Sequence, residues 1–232
     1  MYLEITLTNQ DQAVLVLLFK RPRPGQGKQR LAADIGSDAA CRVAEALLAC
    51  ALERLQNWPG PVVLAPAAAA DGDWSQALLS RPALVCPQSG GNLGERINRL
   101  DADLRAKGFS RLLLIGSDLP ELSDRLLLQA AAMLDSSAVA LSPADDGGVC
   151  LMANREPWPL LAELPWSTGQ LGETLADCCR AAGMAVGTVA PSYDVDRLAD
   201  LLACVERLRA GQPTSAQQRL IECVAGLKLF PQ

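Results

Sequence analysis

Five cations crowd residues 19–31, FKRPRPGQGKQRL: Lys20, Arg21, Arg23, Lys28 and Arg30, set around Gly25 and Gly27. A turn needs glycine or proline, but it does not need this charge. The pattern points to an anionic ligand. Gly25 and Gly27 let the backbone approach a ligand, and successive amides can form an anion nest. Lys28 and Arg30 add a point donor and a forked donor suited to phosphate. The Walker pattern GxxxxGK[ST] is missing. A solvated basic turn is the structural alternative.

Four more loops carry chemistry. In IGSDLPEL (115–122), Asp118 directly follows an apolar run, RLLLI. A carboxylate there faces the crevice at a strand's carboxyl end and suits Mg²⁺ or Mn²⁺, which take one or two carboxylates plus substrate phosphates. Capping a helix is its structural alternative. In SPADDGGVCLMA (142–153), Asp145, Asp146, Gly147 and Gly148 make either a ligand-facing turn or an ordinary hairpin. In PSYDVDRLADLL (191–202), Asp194 and Asp196 lie two apart in an extended segment, although Asp196 could instead cap the next helix. In CPQSGGNLGERINRL (86–100), Gln88 and a glycine loop precede a helix that carries Gly94, Arg96 and Arg99, another ready anion site.

The bulk composition limits what these loops can serve. The chain has 232 residues, 50% of them apolar, and a net charge of -5. That disfavours nucleic acid as a partner and leaves the basic loop as a local exception. There is no histidine, which removes imidazole bases, serine-histidine triads and histidine zinc sites. Eight cysteines form no CxxC pair, and MYLEITLTNQDQ has neither the basic start nor the apolar core of a secretory leader. A reducing cytoplasm with free thiols is expected. No apolar run is long enough to span a membrane.

The elements that must position these loops alternate. Strands are predicted at 13–19, 61–65, 83–86, 111–115, 137–142, 148–153 and 185–190. Helices are predicted at 38–57, 92–107, 123–134, 168–182, 197–210 and 214–226. Ser37 or Asp38 would cap the first helix, and Ser123 or Asp124 the third. MYLEITLT could add an edge strand, and 66–75 and 155–168 read as irregular. Apolar strands between helices imply an α/β fold, a mostly parallel sheet covered on both faces, in one domain over 1–232.

The motif order PRPGQGKQRL, QSGGNLGERI, IGSDLPEL, SPADDGGVCLM, LPWST and YDVDRLADL resembles the bacterial radical-SAM/selenodomain-associated transferases. These are glycosyltransferase-like members of the GT-A nucleotide-diphospho-sugar transferase superfamily. The resemblance covers roughly residues 13–202 and extends more distantly to guanylyltransferases that activate phospholactate or molybdopterin. It implies a Rossmann-like GT-A fold in three α/β/α layers. It further implies that Lys20, Gly25, Gly27, Lys28, Arg30, Gln88, Gly94 and Arg96 meet the nucleotide phosphates. Asp118 and Asp196, less so Asp194, would hold Mg²⁺ or Mn²⁺. Asp145, Asp146, Gly147, Gly148 and Trp166 would line the acceptor side. The family pattern FAKxPxPGxxKTRL is altered here: Lys20-Arg21 replaces Ala-Lys and Gln29 replaces Thr. Arg197 stands where Thr is common, and Val149-Cys150 replaces an aromatic. Acceptor choice is the property these departures touch.

The expected activity is a metal-dependent transferase using a nucleotide-sugar and a small-molecule acceptor, with Lys28, Asp118 and Asp196 as catalytic residues. Two other readings stay open. One is a nucleotidyltransferase joining an NTP to a phosphorylated acceptor. The other is a non-catalytic domain that binds a nucleotide or a partner. Helix 214–226 and the tail GLKLF offer a surface for a homodimer.

Overall fold

The computed structural model describes residues 12–227. The edge strand expected over residues 1–8 lies outside them. In chain order the elements are β1 (Val14–Phe19), α1 (Gln29–Ile35), α2 (Ser37–Asn57), β2 (Val62–Pro66), α3 (Gly72–Gln76), β3 (Leu84–Val85), α4 (Leu93–Ala106), β4 (Leu112–Gly116), α5 (Asp124–Met133), β5 (Val139–Pro143), β6 (Val149–Asn154), α6 (Leu171–Ala181), β7 (Val186–Thr188), α7 (Leu198–Ala210) and α8 (Ser215–Ala225). The strands form a seven-stranded sheet in the order β3-β2-β1-β4-β6-β5-β7. Only β6 runs against its neighbours, because the Asp145–Gly148 turn returns the chain directly beside β5.

The central strands are apolar without interruption because both faces are covered. Leu15, Leu17, Leu113 and Ile115 pack under α2 and α5. Val14, Val16, Leu112 and Leu114 pack on the other side, under α4 and α6. A third cluster joins the outer side of α2 to α1, α7 and α8 through Val43, Leu47, Leu201, Cys204, Leu220 and Val224. The layered architecture expected from the alternating elements is thus present, with the terminal helix pair added outside α2. Among the described residues no helix is long and apolar enough to cross a membrane.

Most boundaries fall within a residue or two of the expected ones. Ser123 caps α5, and Asn92 and Glu95 form a reciprocal capping box on α4. Three details differ. Gly36, at φ 83°, ends α1 and opens α2, so neither Ser37 nor Asp38 takes the cap. The short helix α1 was not expected, because its pattern is hidden inside the basic loop's charge. Residues 66–75 are not irregular throughout: a 3₁₀ turn (Ala69–Asp71) leads into α3, as the alanine run there favours.

Candidate functional site

Strand order decides where a ligand can sit. The chain runs from β1 outward to β2 and β3, then returns to place β4 on the other side of β1. The carboxyl ends of β1 and β4 therefore flank a topological switch point, where open α/β sheets bind ligands. The basic loop leaves β1 there, and Asp118 follows β4 by two residues.

Lys28 closes the gap between them. Its Nζ lies 2.9 Å from Asp118 Oδ2, with 9% of the side chain exposed against 44% for Asp118. The same Nζ donates to the Val195 carbonyl. Val195 N–H in turn donates to Asp118 O at 2.9 Å. One ammonium thus joins the turns after β1, β4 and β7. Lys28 adopts a left-handed backbone, φ 47° and ψ 37°, as the residue before α1. That conformation costs a lysine about 1 kcal/mol and is held by these contacts. Gly25 and Gly27 also have positive φ, 74° and 75°, and face open space.

Asp118 caps no helix, since Ser123 does that work for α5. Asp196 is also not a cap: Asp200 accepts from the Asp196 and Arg197 amides, at 3.1 and 2.7 Å. Asp196 instead meets Arg30 at 2.5 Å, with both side chains well exposed. Asp194 stands in the more acidic surroundings. Although the residue keeps solvent exposure, its carboxyl is held above the usual carboxylate range. The protein packed around it is the first cause, the Asp146 carboxylate the next and Asp118 a lesser one, while Lys28 opposes them. Burial, then the charges of Asp194, Asp146 and Asp145, push the Cys150 thiol up to about 12. Ser192 N–H bonds the Pro143 carbonyl at 3.1 Å, laying the Asp194 segment beside the Asp145–Gly148 turn.

That turn is a hairpin. Ala144 N–H donates to Gly148 O at 3.0 Å, and Asp146 Oδ1 accepts from Gly148 N–H at 2.9 Å. Gly147, at φ 85°, would place a Cβ 1.9 Å from Gly169 O, so only glycine fits where the turn meets the segment before α6. Trp166 packs partly buried on the core and donates to Leu161 O at 2.9 Å.

Other expected phosphate contacts are occupied structurally. Gly94 is buried, and a Cβ there would lie 2.1 Å from Leu161 O, so it serves helix packing and not an open nest. Arg96 and Arg99 donate to the Gly91 and Gly90 carbonyls at 2.8 and 3.0 Å. Gln88 fastens its loop to β2 through Ala65 O at 2.7 Å. Arg23 and Arg21 both turn to Asp71, at 2.7 and 3.7 Å, and Arg21 lies 4.7 Å over the Trp74 ring. Nothing in the local sequence of Asp71 marks it as their partner. Lys20 is exposed and forms no ion pair among the described residues. A hollow of about 370 Å³ opens between residues 21–24 and the start of α2, lined by Asp38, Cys41, Arg42 and Glu45, and contains neither Lys28 nor Asp118.

Among the described residues, no group of three or more His, Cys, Asp or Glu side chains is arranged to hold a metal ion. A pair of carboxylates completed by substrate oxygen remains the donor set that Mg²⁺ or Mn²⁺ takes.

A bacterial family described as "Uncharacterized protein conserved in bacteria (DUF2064)" matches residues 47–168, about half of the chain. The chain belongs to this family. The matched range holds Asp118 and the Asp145–Gly148 turn, while Lys28 and Asp194 lie on either side of it. Among solved structures, a protein of Desulfovibrio desulfuricans G20 provisionally named a nucleotide-diphospho-sugar transferase is 24% identical, with a TM-score of 0.83 over 92% of this chain and 95% of that one. A nucleotidyl transferase of Methanothermobacter thermautotroptrophicus is 17% identical, with a TM-score of 0.54 over 85% and 99%. CMP:2-keto-3-deoxy-manno-octonic acid synthetase, solved with CTP, is 17% identical, with a TM-score of 0.51 over 86% and 97%. These likenesses are of fold. No curated protein matches the sequence.

Proposed function

We propose that this chain is a single-domain transferase acting on an activated nucleotide, with a nucleoside-diphosphate sugar as donor and a small molecule as acceptor. The observation that carries the reading is Lys28 bridging Asp118 and the Val195 carbonyl at the switch point. A nearly buried cation beside an acid at the strand ends suits a nucleotide phosphate and so supports the reading. The resemblance of the motif order to that of radical-SAM/selenodomain-associated transferases also supports the reading.

In this reading the amides around Gly25 and Gly27 face the diphosphate. Lys28 holds Asp118 in place and offers charge to the leaving phosphate. Asp118 with Asp194 or Asp196 would hold Mg²⁺ or Mn²⁺, and the ion when bound supplies further neutralisation of that phosphate. Asp146 and its turn present the acceptor side. Asp194, ringed by like charge, is the more suitable of the last two acids. The motif resemblance favours a nucleoside-diphosphate sugar as donor, and the cation-rich loop is compatible with a triphosphate as well.

Calorimetric titration with UDP-sugars, GDP-sugars, GTP and CTP, with and without Mn²⁺, tests the proposal. A nucleoside-diphosphate sugar should bind, more tightly with Mn²⁺, and Asp118→Ala should abolish the metal-dependent part. Folded wild-type protein that binds none of them would refute the reading. Tighter binding of GTP or CTP would move it to nucleotidyl transfer.

A further inference from the structure

One surface arginine touches both turns that carry the acids. Arg207 projects from α7. Its Nε donates to Glu121 Oε1 and Oε2 at 2.8 and 3.1 Å, and its Nη2 to Oε2 at 2.6 Å. Its guanidinium carbon lies 4.6 Å from the centroid of the Tyr193 ring. Glu121 follows Asp118 by three residues, and Tyr193 directly precedes Asp194. The fork therefore grips the Asp118 turn, while the flat face of the same group covers the residue leading into Asp194.

We infer that Arg207 is a positioning residue, clamping the Asp118 turn to the Asp194 segment so that Lys28 meets both in one geometry. Two further contacts show where that clamp acts. Val195 N–H reaches Asp118 O at 2.9 Å, between the same two segments. Gln217 of α8 donates to Pro120 O at 2.8 Å, holding the same turn from the neighbouring helix. The outer helix pair thus has a task beyond covering α2. The side chain of Arg207 is 43% exposed and that of Glu121 16%, so solvent screens the pair in part and limits what it adds to global stability. A forked, ring-stacked guanidinium instead fixes orientation, which a lysine ammonium cannot do.

The inference rests on the transferase reading for what this geometry serves, and its test separates the two. Amide hydrogen exchange on the full chain reads the clamp without any ligand. Arg207→Ala should speed exchange at Val195 about tenfold and leave the β1 amides unchanged. Arg207→Lys should behave like the alanine variant, and Glu121→Gln, which leaves α7 untouched, should repeat the pattern. In titrations with Mn²⁺ and UDP-sugars, GDP-sugars, GTP or CTP, Arg207→Ala should lose about tenfold in affinity for whichever the wild type binds. Unchanged Val195 exchange overturns the inference. So does acceleration shared equally by β1, which marks a general stabiliser, and so does unchanged affinity. Wild-type protein that binds no nucleotide sinks the transferase reading alone, and the exchange data still decide the clamp.

Discussion

Arg21 and Arg23 open the basic loop, Lys28 and Arg30 close it, and all four are ion-paired to aspartates supplied by different parts of the sheet. The first pair meets Asp71, in the turn after β2. The second pair reaches across the switch point to Asp118 and Asp196, after β4 and β7. The opening end fastens the loop to its own side of the sheet, and the closing end joins loops far apart in sequence. Equal charge therefore serves anchoring at one end and site-building at the other. Burial singles out Lys28 alone: it is nearly enclosed, whereas Arg21, Arg23 and Arg30 keep 37%, 46% and 56% of their side chains in solvent.

The sharpest way to break this contrast is Lys28→Met. On the transferase reading it should cut nucleotide affinity by about a hundredfold or more, measured calorimetrically, because it removes the cation proposed to face the phosphates. Asp71→Ala should act the other way round. Affinity should hold within about threefold, while Tm falls by about 5 °C, since a nearly buried carboxylate and its two guanidinium partners are lost together. A hundredfold affinity loss from Asp71→Ala would show that the anchoring end is part of the site.

Asp194→Asn sharpens the comparison through pH. A carboxyl held above its unfolded value binds its proton more tightly in the folded chain. Its stabilisation is complete at low pH and is lost as pH rises through the folded value. Asparagine imitates the protonated form. The variant should melt about a degree or two higher than wild type at pH 7, with the gap closing on acidification, and on the transferase reading it should lose activity. Thermal melts across pH 3–8 read the sign. The smallest effect belongs to Lys20→Ala. This exposed cation has no ionic partner among the described residues, so removing it should weaken nucleotide binding about threefold and flatten its salt dependence.

Much of the fold is legible in the chain. Seven short apolar runs between helical patterns became seven strands, because continuous Val and Leu can be buried only when both sheet faces are covered. Asn92 with Glu95, and Ser123, mark their helix starts by local hydrogen bonding, which needs no distant partner. Lys28 and Asp118 stand out as loop residues following apolar strands. The rest was hidden because it depends on pairing across the fold. Gly94 reads as a phosphate glycine until the 159–166 segment packs against it. Arg96 and Arg99 read as free donors until their own loop carbonyls occupy them. Asp194 and Asp196 look alike in YDVD, and only the approach of Asp146 to one and Arg30 to the other tells them apart.

Residue types and periodicity were enough to establish an α/β layering, loops that bear charge at strand ends, and chemistry that must proceed without histidine, because these follow from local propensity and composition. Which cations anchor and which reach the switch point, which acid is crowded, and that Arg207 grips both acid turns were decided only by the packed chain. Coulombic and hydrogen-bond energies depend on distances between segments that the strand order brings together, and no spacing along the sequence encodes those distances.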